Sequence, residues 1–257
     1  MRDEHALLRA AELLNRARTV VCLTGAGVSA ESGVATFRDA QTGLWSRFDL
    51  RQLASQAGFA QDPALVWRWY MERLQTVEQA TPNPGHRALA DLESLLPLFV
   101  LFTQNVDDLH ERAGSQAVHH LHGTLTRFCC NKCATEHPLA TAERSAAEPP
   151  HCRLCGGLVR PAVIWFGEYL PAALLAEARQ AASTCDVLLV VGTSGIVYPA
   201  AELPQLTQSR GGAVIDVNPT AGPIAELADV VLQGAGGHLL PRLVAELRAS
   251  RAGPHTP

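Results

Sequence analysis

Short apolar runs without alternation recur along the chain, at 20–24, 98–102, 187–191, 213–217 and 230–232. Each gives way to a polar or glycine-rich turn: G-A-G, T-Q-N, G-T-S, N-P-T and Q-G-A. A strand buried on one face alternates, whereas one buried on both faces reads as a continuous run. Between several runs lie helical stretches: 5–17, with Leu7, Leu8, Ala11, Leu13 and Leu14 among polar residues, then 171–184 and 238–250. The pattern predicts an α/β fold, a doubly wound parallel sheet covered by helices on both faces. In such sheets ligands bind beyond the carboxyl ends of the strands, where these turns lie. Two segments break the rhythm: 40–91 carries helical patterning, and 125–160 carries clustered cysteines with little apolar periodicity. The expected organisation is a large domain from 1–39, 92–124 and 161–257, with a smaller helical and zinc-ribbon module formed by the insertions 40–91 and 125–160.

Length and charge narrow the class. At 257 residues the chain can bury a large core. A net charge of −4 gives no electrostatic footprint for nucleic acid. No apolar run reaches the roughly 18 residues of a membrane span, and M-R-D-E-H lacks the basic start and apolar region of a secretory signal. Four of the seven cysteines form two C-x-x-C pairs, which suits metal binding in a reducing compartment better than disulfides. The expected location is cytoplasmic.

Three constellations carry chemistry. Cys130, Cys133, Cys152 and Cys155 have the spacing of a four-thiolate zinc ribbon, a closed and therefore structural site for one zinc. Cys129 and His151, each beside a ligand, are the alternatives. Gly25-Ala26-Gly27-Val28-Ser29-Ala30 follows a predicted strand and fits a dinucleotide fingerprint, or else marks only a tight turn. The usual acidic residue about 20 positions on has no clear candidate, which disfavours an ordinary dehydrogenase. In V66-W-R-W-Y-M-E-R-L74, Tyr70 and Arg73 sit three apart, so a helix puts both polar tips on one face.

The stretch T24-G-A-G-V-S-A-E-S-G-V-A-T-F-R-D39 resembles the signature of the sirtuins, NAD-dependent protein lysine deacylases. So do T103-Q-N-V-D-D-L-H110, H120-L-H-G123, both C-x-x-C pairs, V191-G-T-S194 and V217-N-P219, in family order over nearly the whole chain. Ala35 and Ala162 depart from the family pattern at positions whose side chains the chemistry does not need. The resemblance implies a Rossmann-type domain, a small zinc module, and NAD meeting acyl-lysine between them. It makes His122 the general base, with Asn105 and Asp107 beside the nicotinamide ribose. Phe37 and Arg38 would shield the reactive ribose and bind phosphate. The other NAD contacts it implies are Gly25, Ala26, Gly27, Ser29, Glu31, Gln104, Val106, Gly192, Thr193, Ser194, Asn218, Pro219 and Gly236. Val163, Phe166, Gly167 and Glu168 would line the acyl-lysine site.

Within that family, a Tyr-x-x-Arg pair marks the subgroup that removes acidic acyl groups. Tyr70 and Arg73 match the pair, and Ala54 matches the small residue that leaves room for a longer acyl chain. The implied reaction removes succinyl, malonyl or glutaryl groups, with acetyl a further candidate, from lysines of proteins or peptides, releasing nicotinamide and 2'-O-acyl-ADP-ribose. Plain deacetylation, mono-ADP-ribosyl transfer and a non-catalytic zinc-ribbon binding role are the competing readings.

Overall fold

Five apolar runs become strands of one sheet, because each buries both faces. The computed structural model describes residues 2–34 and 49–252. The first half runs α1 (Arg2–Arg16), β1 (Val20–Thr24), α2 (Gly27–Ala30), α3 (Leu50–Leu53), α4 (Gln56–Gln61), α5 (Pro63–Gln79), α6 (Pro84–Leu95), β2 (Phe99–Thr103), α7 (Leu109–Ala113) and β3 (Val118–His120). The second half runs β4 (Gly123–Cys130), α8 (Thr141–Arg144), β5 (Val159–Val163), α9 (Ala172–Thr184), β6 (Val187–Val191), α10 (Leu203–Ser209), β7 (Ala213–Asn218), β8 (Val230–Gln233) and α11 (Gly236–Ala252). Among the described residues, no helix is long and apolar enough to cross a membrane.

The six-stranded sheet has the order β3-β2-β1-β6-β7-β8, and every pairing is parallel. Alternate residues of each strand serve opposite faces. Cys22, Leu101, Leu189 and Ile215 pack under α1, α6 and α11, alongside Leu14, Leu89 and Leu243. Val21, Leu23, Phe102, Leu188 and Val214 form the second face with Ala178 and Ala182 of α9 and Leu203 of α10. Chain order reverses direction between β1 and β6, and such a switch point opens a crevice at the carboxyl ends. The register puts Thr24 level with Thr103 and Val191, so the turns after β1, β2 and β6 share one rim.

A separate core is shared by the two insertions and residues that flank them. Leu53, Phe59, Trp67, Trp69, Tyr70 and Leu74 of the helices pack with Phe128, Val159, Val163 and Trp165 around the antiparallel pair β4–β5. Asp62 starts α5 by accepting from Leu65 N at 2.9 Å, with Pro63 in the first turn, where its missing N–H costs nothing. The boundary drawn from sequence at residue 91 runs through α6. That helix packs against α11, and its Leu89 and Leu92 lie in the core under the large sheet. Its apolar stripe belongs there because α1 and α11 leave that face of β1 and β2 to be covered.

One buried charge stands out in the sheet. Asp216 of β7 is 1% exposed, between Val190 and Val231 in register, and neither carboxylate oxygen has a partner. Burial pushes its pKa from 3.8 up to about 6. The folded state therefore holds this proton more tightly than the unfolded chain does. That contribution is full below pH 3.8 and is lost as pH rises through about 6, so an ionised Asp216 costs about 3 kcal/mol above pH 7. Asp216→Asn should raise the Tm at pH 7.5 and flatten the fall in Tm between pH 5 and 7.5. Thermal melts across that range measure it, and an unchanged slope would place the titration elsewhere.

Candidate active site and zinc centre

The glycines after β1 are fixed by contact with the turn after β6. Gly25 N donates to Val191 O at 3.0 Å and Gly27 N to Gly192 O at 2.8 Å. A Cβ on Gly25 would lie 2.7 Å from Thr193, and one on Gly27 would lie 2.7 Å from Gly192 O. Gly192 itself has φ +61°, and a Cβ there would strike Val28 N at 2.5 Å. The two turns thus interlock at the switch point, with Ala26 partly exposed on the rim. Thr193 ties in its neighbours: its hydroxyl accepts from Gln104 Nε2 at 2.8 Å, and its carbonyl accepts from Asn218 Nδ2 at 2.7 Å. Ser194 and Pro219 follow on the same rim, and Gly236 packs on Val191 at the start of α11. Glu31 accepts from Gly237 N at 2.9 Å, so its carboxylate caps the N-terminus of α11. Phe37 and Arg38, with Ala35, lie outside the described residues.

Asn105 and Asp107 are buried beside this rim. Asn105 Nδ2 donates to Gly25 O at 3.2 Å and to Ser29 Oγ at 3.1 Å, while its Oδ1 is buried without a partner. An orphaned acceptor in a glycine-lined crevice fits a ligand carrying an amide or hydroxyl donor. Asp107 accepts from Leu109 N at 3.2 Å, which makes it the acceptor at the start of α7; burial pushes its pKa up. The Val106 carbonyl accepts from Leu125 N at 2.8 Å, anchoring the loop to β4.

His122 sits just after β3. Its carbonyl accepts from Ile164 N at 2.8 Å, and Gly123, with φ +73°, leaves only 2.0 Å between a would-be Cβ and Ala162 O. Glycine is therefore required after this histidine. His122 Nδ1 lies 3.1 Å from Gln104 O and must carry the hydrogen to bond it, leaving Nε2 as a base. Burial pushes the imidazole pKa down, opposed by that carbonyl, so the ring is neutral at physiological pH.

Sequence reasoning missed the polar layer beneath. Asn83 caps α6, accepting from Gly85 N at 2.9 Å, and its Nδ2 donates to Val28 O at 2.7 Å. His86 reaches Ser29 Oγ at 3.5 Å, and burial pushes its pKa down to about 4. The Thr24 hydroxyl donates to Thr103 Oγ1 at 2.8 Å, so His110 Nε2, 2.9 Å away, is the donor to it. Thr103 Oγ1 accepts from Asn105 N at 3.0 Å. The signal available was P-N-P-G-H at 82–86, an N-cap followed by proline in the first turn.

In the small module, Ala54 is buried and its carbonyl accepts from Phe166 N at 2.9 Å. Tyr70 is 3% exposed, and its oxygen accepts from Trp165 Nε1 at 2.8 Å. That bond leaves the phenol hydrogen to donate elsewhere. Arg73 follows one turn on, its guanidinium carbon 5.0 Å from the Trp69 ring centre. Burial lowers its pKa, while Tyr70 and Asp107 act in the opposite sense. Val163 is buried; Phe166 and Gly167 are exposed. The Glu168 carboxylate is occupied: it accepts from Arg160 at 2.5 and 2.9 Å, from Trp165 N at 2.8 Å and from Gln56 at 2.6 Å. Arg160 also lies 3.3 Å from the Trp165 ring centre and 3.3 Å from Asn131 Oδ1, beside Cys130.

The four ribbon thiols converge, with every Sγ within 4.8 Å of the others. Lys132 N and Leu154 N donate to the sulfurs of Cys130 and Cys152 at 3.3 and 3.4 Å. Four thiolates at this spacing suit one tetrahedral zinc. Cys129 falls outside the set, and His151 Nδ1 is spent on Gly156 O at 2.9 Å. Cys130→Ser or Cys155→Ser should bind less than one zinc per chain and melt earlier, because metal binding contributes to folding. Metal analysis with thermal melts measures both.

A glycine cradle at a parallel-sheet switch point, with a neutral histidine and buried amide beside it, defines a nucleotide-binding enzyme class. Residues 25–199 match the Sir2 family model, and the chain belongs to that family. NAD-dependent protein deacylase 1 of Pseudomonas aeruginosa is 51% identical, over 91% of this chain and 96% of its own. A Sir2 homologue solved as its NAD complex is 44% identical, with TM-score 0.88 over 94% of both chains. A Sir2 protein bound to a myristoylated histone peptide is 35% identical, with TM-score 0.80 over 97% of this chain and 99% of its own.

Proposed function

We infer that this chain is an NAD-dependent protein-lysine deacylase whose pocket is built for acyl groups ending in a carboxylate. Tyr70 with Arg73 is the observation that carries the acidic preference. A buried carboxylate stays ionised at neutral pH and needs a cation or a large penalty follows. Arg73 supplies the charge, and Tyr70, already accepting from Trp165, has its hydrogen free for the same end of the pocket. A relative holds a myristoylated peptide; a carboxylate end, unlike an apolar one, would draw on the Arg73 charge.

NAD supplies the ribose that takes the acyl group. Gly25, Gly27, Gly192, Thr193 and Asn218 would hold the dinucleotide along the rim, Asn105 and Asp107 would orient its nicotinamide end, and His122 Nε2 would be the base for a ribose proton. Phe37 and Arg38 belong to this reading through the family resemblance. The substrates are acyl-lysine proteins or peptides, in a reducing, cytoplasmic setting that suits the four thiolates, with no nucleic acid involved. We divide the chain into the large sheet domain and the small module of two insertions, with α6 assigned to the former.

Mass spectrometry of succinyl-, malonyl-, glutaryl- and acetyl-lysine versions of one peptide, with and without NAD, tests the reading. NAD-dependent loss of the acidic groups, faster than loss of acetyl, is expected. Removal of acetyl alone would make the enzyme a plain deacetylase.

A further inference from the structure

His120 and His122 stand two residues apart, and each points Nδ1 at the loop after β2. His122 Nδ1 lies 3.1 Å from Gln104 O, and His120 Nδ1 lies 3.0 Å from Asn105 O. They differ at the other nitrogen: His120 Nε2 is 2.6 Å from Glu111 Oε1 on α7. A neutral imidazole has one N–H and satisfies only one of these two acceptors. The imidazolium satisfies both.

We propose that His120 is a charged positioning residue for the deacylation, its imidazolium tying the Asn105 carbonyl to Glu111 and so holding the loop that presents Gln104, Asn105 and Asp107. The proposal rests on the reading of Asn105 and His122 given above. Losing the proton releases one of the two bonds, and the link from the Asn105 carbonyl through His120 to Glu111 is broken.

The surroundings support a charged ring. Burial pushes the His120 pKa down, but the Glu111 carboxylate, the Asn105 carbonyl and Asp107 outweigh it and hold it above its ordinary value. Burial likewise pushes Glu111 up, and His120 outweighs that, holding the carboxylate below its usual range. Asp108 lines a cleft of about 500 Å³ with His120, Glu111 and Arg127 of β4. Arg127 is itself paired to Glu136 at 3.2 Å. His110, on α7, has its pKa driven well below the ordinary value by burial, with His86 and His120 adding. His119 turns away, to Glu177 of α9 at 3.6 Å. Two histidines on one short stretch are thus driven in opposite directions, one to hold a charge and the other to accept a proton.

The test is kcat against pH at saturating NAD and peptide, with an NMR titration of the His120 ring. The rising limb should report His122 and the falling limb His120. Glu111→Gln keeps an acceptor but removes the anion, so the falling limb and the His120 titration should both move down by about one pH unit. The rising limb should stay. His120→Gln should abolish the falling limb and lower kcat throughout. If both variants lose thermal stability alone and keep the wild-type profile, His120 is merely structural and the proposal fails. A rising limb that survives in His122→Ala overturns the base assignment instead, and the NMR titration separates the two failures.

Discussion

His122→Ala is expected to cut deacylation by about 10²–10⁴-fold, the usual worth of a positioned base, while NAD binding stays measurable. The Gln104 carbonyl fixes the Nδ1 hydrogen, so Nε2 is the lone pair offered to the site. Burial pushes the ring's pKa below its ordinary value, which favours the unprotonated nitrogen. Alanine removes the acceptor without touching the glycine cradle, which is held by backbone bonds between the turns after β1 and β6. Calorimetric titration with NAD and steady-state turnover on the same preparation separate the two effects. Turnover within a few-fold of wild type would sink the assignment.

Arg73→Met should lower kcat/KM for a succinyl peptide by about tenfold to a hundredfold, the worth of one charge-assisted bond, and spare the acetyl peptide. Methionine keeps a long apolar stem against Trp69 and removes the planar fork. Tyr70→Phe should shift the ratio the same way by less, because it deletes a neutral donor and also the acceptor of the Trp165 indole. The quantity to measure is the ratio of kcat/KM for succinyl and acetyl versions of one peptide at saturating NAD. An equal loss on both would make Arg73 a support of the module's core.

Strands buried on both faces write themselves into a sequence as apolar runs, and β1, β2, β6 and β8 were legible for that reason, as was β7 despite Asp216 within it. The short β3 was not, because its V-H-H puts two imidazoles where a run would need aliphatic residues. The cysteine spacing was enough to point to a metal set, since four thiols at ribbon spacing have few other uses. Its geometry also separates Cys130 from the adjacent Cys129, which spacing could not do. Buried polar residues are harder. Asn83, His86 and His110 look like surface residues in a linear string, and only the packed structure shows them joined beneath the cradle. The partners of charged residues are equally invisible in a linear string: the carboxylates of Glu31 and Glu168 accept from Gly237 N and from Arg160.

The interlock of the glycine turns also bears on how the chain acquires its site. Gly25 lies near the beginning of the chain, and the residues it packs against, Val191 to Thr193, come late. β1 is central, and its second edge stays unpaired until β6 has been synthesised and docked. Contacts between such distant segments close slowly. The glycine cradle is therefore completed only after β6 joins the sheet, and a nascent chain that ends before β6 carries the glycine motif without the turn that interlocks with it.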